Sequence, residues 1–158
     1  MLTISPLETT DHEWVQKMIK HEWGDPFVVV HGEVYLPGEL PGYKAVDDES
    51  VVGLITYKII NSKCEVVTLN SIYPSKGIGH ALLNKVENEV RLNGCQSCWI
   101  ATTNDNLNAL KFYHNQGYVI SEVHTNAVEL ARAIKSSIPH IGENGIPIRD
   151  EIFLSKQL

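Results

Sequence analysis

The sequence predicts a mixed α/β fold in which antiparallel strands lead into a central β-α-β unit. Three observations carry this expectation. Short polar connections, Asp47-Asp-Glu-Ser50 and Asn61-Ser-Lys63, join three strand-like runs at 43–47, 51–60 and 64–72. Connections that short make antiparallel hairpins, not crossovers. A glycine turn, Gly77-Ile-Gly79, then separates the third run from a helical pattern over 78–93 and a strand over 98–102. Such a unit is expected to be parallel and right-handed. Finally, 158 residues with 43% apolar and 20% charged side chains fit one domain spanning 1–158, with room for a real core.

Taken in order, residues 2–5 read as a strand ended by Pro6. Thr10-Asp-His-Glu13 reads as a capping box. It opens a helix with Trp14, Val15, Met18, Ile19 and Trp23 on one face, stopped by Gly24-Asp25-Pro26. Phe27-Val-Val-Val-His31 is a short apolar strand. Residues 32–42, with three glycines and two prolines, read as a loop. In the helix over 78–93, Ile78, Leu82, Leu83, Val86 and Val90 form the apolar face, and Gly94 is the expected stop. Asn104-Asp-Asn106 opens a helix over 106–116, closed by Gly117. A strand at 118–124 follows, then a second capping box (Asn126-Ala-Val-Glu129), a helix to about residue 135, a loop over 137–149 and a last strand at 150–155.

Thirteen basic against nineteen acidic residues give a net charge of −6. Nucleic acid is therefore a poor partner, and a cationic small molecule or basic peptide a better one. Neither a signal peptide nor an apolar run of membrane-spanning length is visible. Three cysteines, an odd number, argue for reduced thiols and a cytoplasmic setting. Cys95-Gln-Ser-Cys98 has no second pair to complete a zinc site and reads as packing; no metal is expected. Position 82 is Leu where a dinucleotide fingerprint needs its third glycine. A Walker loop, an H-E-x-x-H pair and a G-x-S-x-G elbow are also missing.

The strand–glycine–helix arrangement suits a phosphate. Glycine lets a backbone come close, and the first N–H groups of a helix lack partners and carry the positive end of its dipole. Further on stands Asn106-x-x-Ala109-x-x-Phe112-Tyr113-x-x-x-Gly117-Tyr118. With these two stretches the sequence resembles the GNAT superfamily of N-acetyltransferases. That signature is a [Q/R]-x-x-G-x-[G/A] turn between strand and helix, then N-x-x-A-x-x-F-Y-x-x-x-G-[F/Y]. Residues 138–152 look like a bacterial subfamily of such enzymes with a Gly142-Glu-Asn-Gly-Ile-Pro-Ile-Arg-Asp-Glu-Ile152 segment. One position departs: Pro74 stands where the family keeps Gln or Arg, and it brings neither a side-chain donor nor an N–H. This leaves room for weaker cosubstrate affinity without requiring loss of binding.

The resemblance implies the acyl-CoA N-acyltransferase fold and acetyl-CoA as cosubstrate. Its pyrophosphate would rest on the N–H groups of Lys76, Gly77, Ile78, Gly79 and His80 and on the Lys76 or Ser75 side chains. The pantetheine arm would pair like an added strand with Leu69, Asn70, Ser71 and Ile72. Asn106 would hydrogen-bond that arm, with Ala109 and Phe112 beside it. The acceptor would be an amine-bearing small molecule or peptide. A lysine-like amine has about one molecule in 10³ neutral at pH 7, a handicap of roughly 4–5 kcal/mol. A carboxylate, acting directly or through water, can remove the proton. Glu65 is the first choice, Glu151 the second, with Glu33 and Glu39 as outsiders; His31 and His140, in or beside loops, are placed to touch a substrate. Tyr113 matches the family's tyrosine and would protonate the leaving thiolate, a step uphill by only about 2 kcal/mol at ordinary pKa values. The same fold also serves as a non-catalytic acyl-CoA-binding sensor or interaction module, and O-acetylation or another acyl donor stays open. So does oligomeric state, a homodimer included.

Overall fold

The computed structural model describes residues 1–74 and 76–158. The strands are β1 (Leu2–Pro6), β2 (Val28–Val30), β3 (Glu33–Tyr35), β4 (Gly42–Asp47), β5 (Ser50–Ile60), β6 (Lys63–Ser71), β7 (Ser97–Thr103), β8 (Val119–His124) and β9 (Glu151–Gln157). The α-helices are α1 (His12–Trp23), α2 (Ile78–Leu92), α3 (Leu107–Asn115) and α4 (Ala127–Ile134). Seven strands form one sheet in the order β1-β4-β5-β6-β7-β9-β8, and β2 and β3 make a separate hairpin. Every neighbouring pair in the sheet is antiparallel except β6 and β7, which are parallel. The mixed α/β expectation holds in this strand order.

Alternation along β5 divides the core. Ile55 joins the cluster on one face of the sheet, against Leu82, Leu83, Val86 and Val90 of α2. Leu54, one residue earlier, joins Val15 and Ile19 of α1 on the other face. The apolar stripe of α2 is thus spent on the sheet as its 3.6 period predicts. Close approach of that helix needs Gly53, because a Cβ there would stand 2.6 Å from Ile78 Cγ2. The three thiols are free and buried, in keeping with packing.

Three local expectations are corrected. The N-terminal capping box lies between Glu8 and Asp11 and closes a short 3-10 turn ahead of α1, rather than at 10–13. Asn126 sits at φ 64 and makes no side-chain cap, while Glu129 pairs with Arg132 instead. Residues 32–42 are not all loop. His31 and Gly32, at φ 44 and 80, form a two-residue turn with both φ values positive. That is the conformation whose twist matches two antiparallel strands, and it joins β2 to β3.

The feature that positions the site is a short ladder. β6 and β7 pair only at Lys63–Ser97, Cys64–Cys98 and Glu65–Trp99. β6 then continues along β5 to Ser71, and β7 continues along β9 to Thr103. Above Glu65 the two strands part. A register irregularity opposite Thr56 and Tyr57 leaves Val67 without its own partner on β5, a bulge that bends β6 where the parting begins.

Candidate active site

The gap between β6 and β7 leaves one edge of residues 66–71 without a strand partner, so alternate N–H and C=O groups of β6 are free. At its upper end the chain reaches the glycine turn. Gly77 caps α2 at φ 75. The first intrahelical bond runs from the Ala81 N–H to the Gly77 carbonyl, so the N–H groups of Ile78, Gly79 and His80 have no partner inside the helix. No acidic residue occupies the first turn of α2, and the dipole there is not offset by the chain's own charge. Lys76 is exposed beside it. Ser75 lies outside the described residues.

The second motif braces the first. Phe112 packs where a Cβ on Gly79 would be, 3.3 Å from its Cζ, and the His80 ring bonds the Gln116 amide oxygen at 2.5 Å. A Cβ at 79 would press on that ring, so glycine eases the meeting of α2 and α3. Asn106 is the N-cap of α3: its Oδ1 accepts the Ala109 N–H at 3.1 Å, which leaves its Nδ2 as the group free to serve a ligand. Tyr113 is 4% exposed and lies edge-on to Phe112 and Tyr118. Burial pushes its hydroxyl above the ordinary value, so it stays protonated. Leu69 packs on the α2 side of the sheet, and Ile72 is half exposed. Asn70 carries a buried Oδ1 with no hydrogen-bond partner among the described residues.

Glu65 sits at the last rung before the parting and is 3% exposed. Both of its oxygens are engaged: Tyr35 donates its hydroxyl to Oε1 at 2.6 Å, and His31 Nε2 lies 2.9 Å from Oε2. Burial and this carboxylate push the Tyr35 hydroxyl up. Glu151, also buried, accepts the His31 backbone N–H at 3.0 Å. The two carboxylates proposed from sequence thus meet around one hairpin tip. Glu33 and Glu39 are not among these contacts. His140 is exposed, and its carbonyl accepts the Ile148 N–H within the loop. That loop is tied to the β7–α3 turn: Asn104 donates to the Pro147 carbonyl and accepts from the N–H groups of Arg149 and Asp150.

Sequence reasoning missed Tyr35 altogether and gave His31 no partner. The available signal was His31-Gly32 between Val-Val-Val and Glu-Val-Tyr, a two-residue turn between β-prone runs. Next to the hairpin an open groove of about 610 Å³ runs along the same face of the sheet. His31, Trp99, Phe153 and His124 line it together with polar residues of β7, β8 and β9. The rings follow one another, His31 to Trp99 at 5.2 Å, Trp99 to Phe153 at 5.8 Å and Phe153 to His124 at 4.5 Å between centroids. Of the two histidines placed by sequence to touch a substrate, His31 lines this groove and His140 does not.

The family model for the acetyltransferase (GNAT) family matches residues 7–118, which include the gap, the glycine turn and α3. The chain belongs to the GNAT acetyltransferase family. It is 42% identical over 157 residues to the uncharacterized protein YdhI of Bacillus subtilis, covering 99% of this chain and 98% of that one. In fold this GNAT protein is similar to a Bacillus subtilis acetyltransferase in complex with CoA, with TM-score 0.71, 20% identity, and 100% and 99% of the two chains covered. It is equally similar to a GNAT acetyltransferase from Elizabethkingia anophelis with acetyl-CoA bound, with TM-score 0.71, 18% identity, and 99% and 98% covered. The mixed sheet is that of the acyl-CoA N-acyltransferase fold. Among the described residues no helix of this GNAT protein is long and apolar enough to cross a membrane.

Proposed function

We propose that this protein transfers an acetyl group from acetyl-CoA to a primary amine by direct attack, and that residues 138–152 mark its bacterial subfamily. The observation that carries the reading is the gap above the Glu65–Trp99 rung, with the unpaired start of α2 at one end and a buried carboxylate at the other. The cosubstrate, when bound, supplies an acyl carbon activated by a thiolate leaving group. The chain's own groups are suited to hold it. The N–H groups of Lys76, Gly77, Ile78, Gly79 and His80, the Lys76 ammonium and the Ser75 hydroxyl would take the phosphates. Leu69, Asn70, Ser71 and Ile72 would pair with the pantetheine amides along the free edge of β6. The unmet Asn70 Oδ1 needs a donor, which those amides can offer. Asn106 Nδ2 would bond the same arm, with Ala109 and Phe112 alongside. Glu65 supplies the negative charge that draws the proton from the amine, and Tyr113 donates to the sulfur as the C–S bond breaks.

The acceptor is an amine-bearing small molecule or peptide. A non-catalytic acyl-CoA binder is the alternative, favoured by one observation: both Glu65 oxygens already have partners. Calorimetric titration with acetyl-CoA, followed by a screen of thiol release across amines, amino acids, antibiotics and peptides, separates the two. Saturable binding with amine-dependent thiol release supports the enzyme. Binding without release under any acceptor supports the sensor. An absence of binding at millimolar acetyl-CoA would overturn both.

A further inference from the structure

Glu65 has almost no surface open to an acceptor amine. It is enclosed, and its two oxygens are held by Tyr35 and His31. His31 is the member of this cluster that reaches the open groove; its side chain is 23% exposed and lines the groove wall. The protons can be placed by chemistry. An ionised carboxylate only accepts. The Tyr35 hydroxyl has one hydrogen, spent on Oε1, so the 3.3 Å contact from Tyr35 oxygen to Nε2 is no second donation. The His31 hydrogen therefore sits on Nε2, facing Glu65 Oε2. Nδ1 then carries the lone pair in the neutral ring. The backbone is fixed as well, since the His31 N–H is held by Glu151 and the turn has φ positive at both residues.

We propose that His31, held by Glu65, is the group that takes the proton from the acceptor amine, and that the acceptor lies in the groove floored by Trp99, Phe153 and His124. The proposal rests on the acetyltransferase reading above and names its base and its acceptor site. The ammonium R–NH3⁺ gives one proton to Nδ1, leaving R–NH2 and an imidazolium stabilised by Glu65. The nitrogen lone pair forms the C–N bond at the acyl carbon as the C–S bond breaks. The second proton leaves the nitrogen as the amide forms, and the thiolate takes one from Tyr113, which is reprotonated. The net products are the amide, the thiol and one proton released to solvent through the groove. The groove floor of adjoining rings suits an amine carried on a flat or apolar body, with its cationic end toward the buried carboxylates.

Other charged groups face this ring. Glu65 and Tyr35 contact it directly. Lys58 lies over the Tyr35 ring at 5.4 Å, and Glu33 acts on Tyr35 from β3. Lys63, Glu122 and His124 share the groove, the last two paired at 2.8 Å. Three measurements decide the matter. Nitrogen-15 NMR of the imidazoles in the unliganded wild type should give His31 as the Nε2–H tautomer; an Nδ1–H tautomer overturns the proposal. In kcat/KM for a primary amine, His31→Asn should fall at least a hundredfold at pH 7. Its profile should keep rising with unit slope toward the amine's own pKa of ~10, whereas the wild type should level off at lower pH. Glu65→Gln should keep a levelling profile, moved to lower pH by loss of the carboxylate. A wild-type profile in His31→Asn, with the levelling lost in Glu65→Gln, makes Glu65 the base and sinks the idea. Filling the groove with Ser155→Trp should raise KM for the amine at least tenfold and leave acetyl-CoA affinity unchanged; an unchanged amine KM overturns the groove assignment. If the wild type released no thiol with any amine, the acetyltransferase reading would fall and the base assignment with it, whereas release with an unaltered His31→Asn profile removes only the base assignment.

Discussion

Tyr113 holds its proton across the working pH range because burial raises its hydroxyl above the ordinary value. The same shift makes full proton transfer to a thiolate more uphill than the roughly 2 kcal/mol of unperturbed groups. In the proposed reaction a buried tyrosine would therefore hydrogen-bond the sulfur as charge develops there and pass its proton late. Its removal should cost a moderate factor. Tyr113→Phe should lower turnover at least tenfold with acetyl-CoA binding nearly intact, and unchanged steady-state turnover would remove this role. Tyr35 has a different duty, since its 2.6 Å bond satisfies one oxygen of a carboxylate that is 3% exposed. Tyr35→Phe should leave that oxygen unpaired and destabilise the fold by about 1–3 kcal/mol, read as a lower midpoint in denaturant. At this scale the sequence was only half legible. Tyr113 stands at a motif position and Glu65 on the strand that leads to the glycine turn, so both can be named. The partnership of Glu65 with residues 30 and 34 positions away follows no spacing rule and exists only once two elements cross.

The elements differ in legibility for physical reasons. β4, β5 and β6 are joined by tight polar turns and are long enough for alternation to be read, and α2 shows its stripe over four turns. Their predicted bounds lie within one or two residues of those observed. β2 was read from its apolar run, but β3 has three residues, too few for any period, and the glycines and prolines around it argued for a loop. Yet this hairpin carries His31 into the site. Its turn depends on Gly32 at φ 80, a conformation a β-branched side chain resists. Gly32→Val should therefore displace His31 and reduce the proposed acetyl transfer at least tenfold while acetyl-CoA affinity, which the proposal gives to β6 and α2, stays within twofold. An assay of amine-dependent thiol release beside calorimetry checks both halves. The terminal loop was unreadable for another reason. Its anchors, Asn104 and Asp105, lie on the turn after β7 and hold the backbone of Glu143, Pro147, Arg149 and Asp150 by side-chain bonds.

Over the whole molecule, two carboxylates tie distant parts of the chain and report on pH. Burial raises the Asp11 carboxyl, but the Lys44 ammonium at 2.8 Å and the Glu8 N–H outweigh it and hold it below the ordinary range. Asp150 is held low by the Arg149 guanidinium and then by the Asn126 N–H. A carboxyl with a lowered folded pKa adds stability that is fully present above its unfolded value of ~3.9 and is lost as pH falls through the folded value. Thermal midpoints should thus be level above about pH 5 and drop below pH 4, with a shallower drop in Asp150→Asn; an equal drop in that variant would free Asp150 from this role. The short β6–β7 ladder has a consequence for how the molecule is assembled. β1, β4, β5 and β6 with α2 come from residues 1–92, and β7, β9 and β8 from residues 97–157. Each half-sheet is thus one uninterrupted length of chain. A ribosome would deliver the first half, with α2 already able to close over β4, β5 and β6, before the first residue of β7 emerges. The seam between early and late chain is the same line along which the cosubstrate would lie.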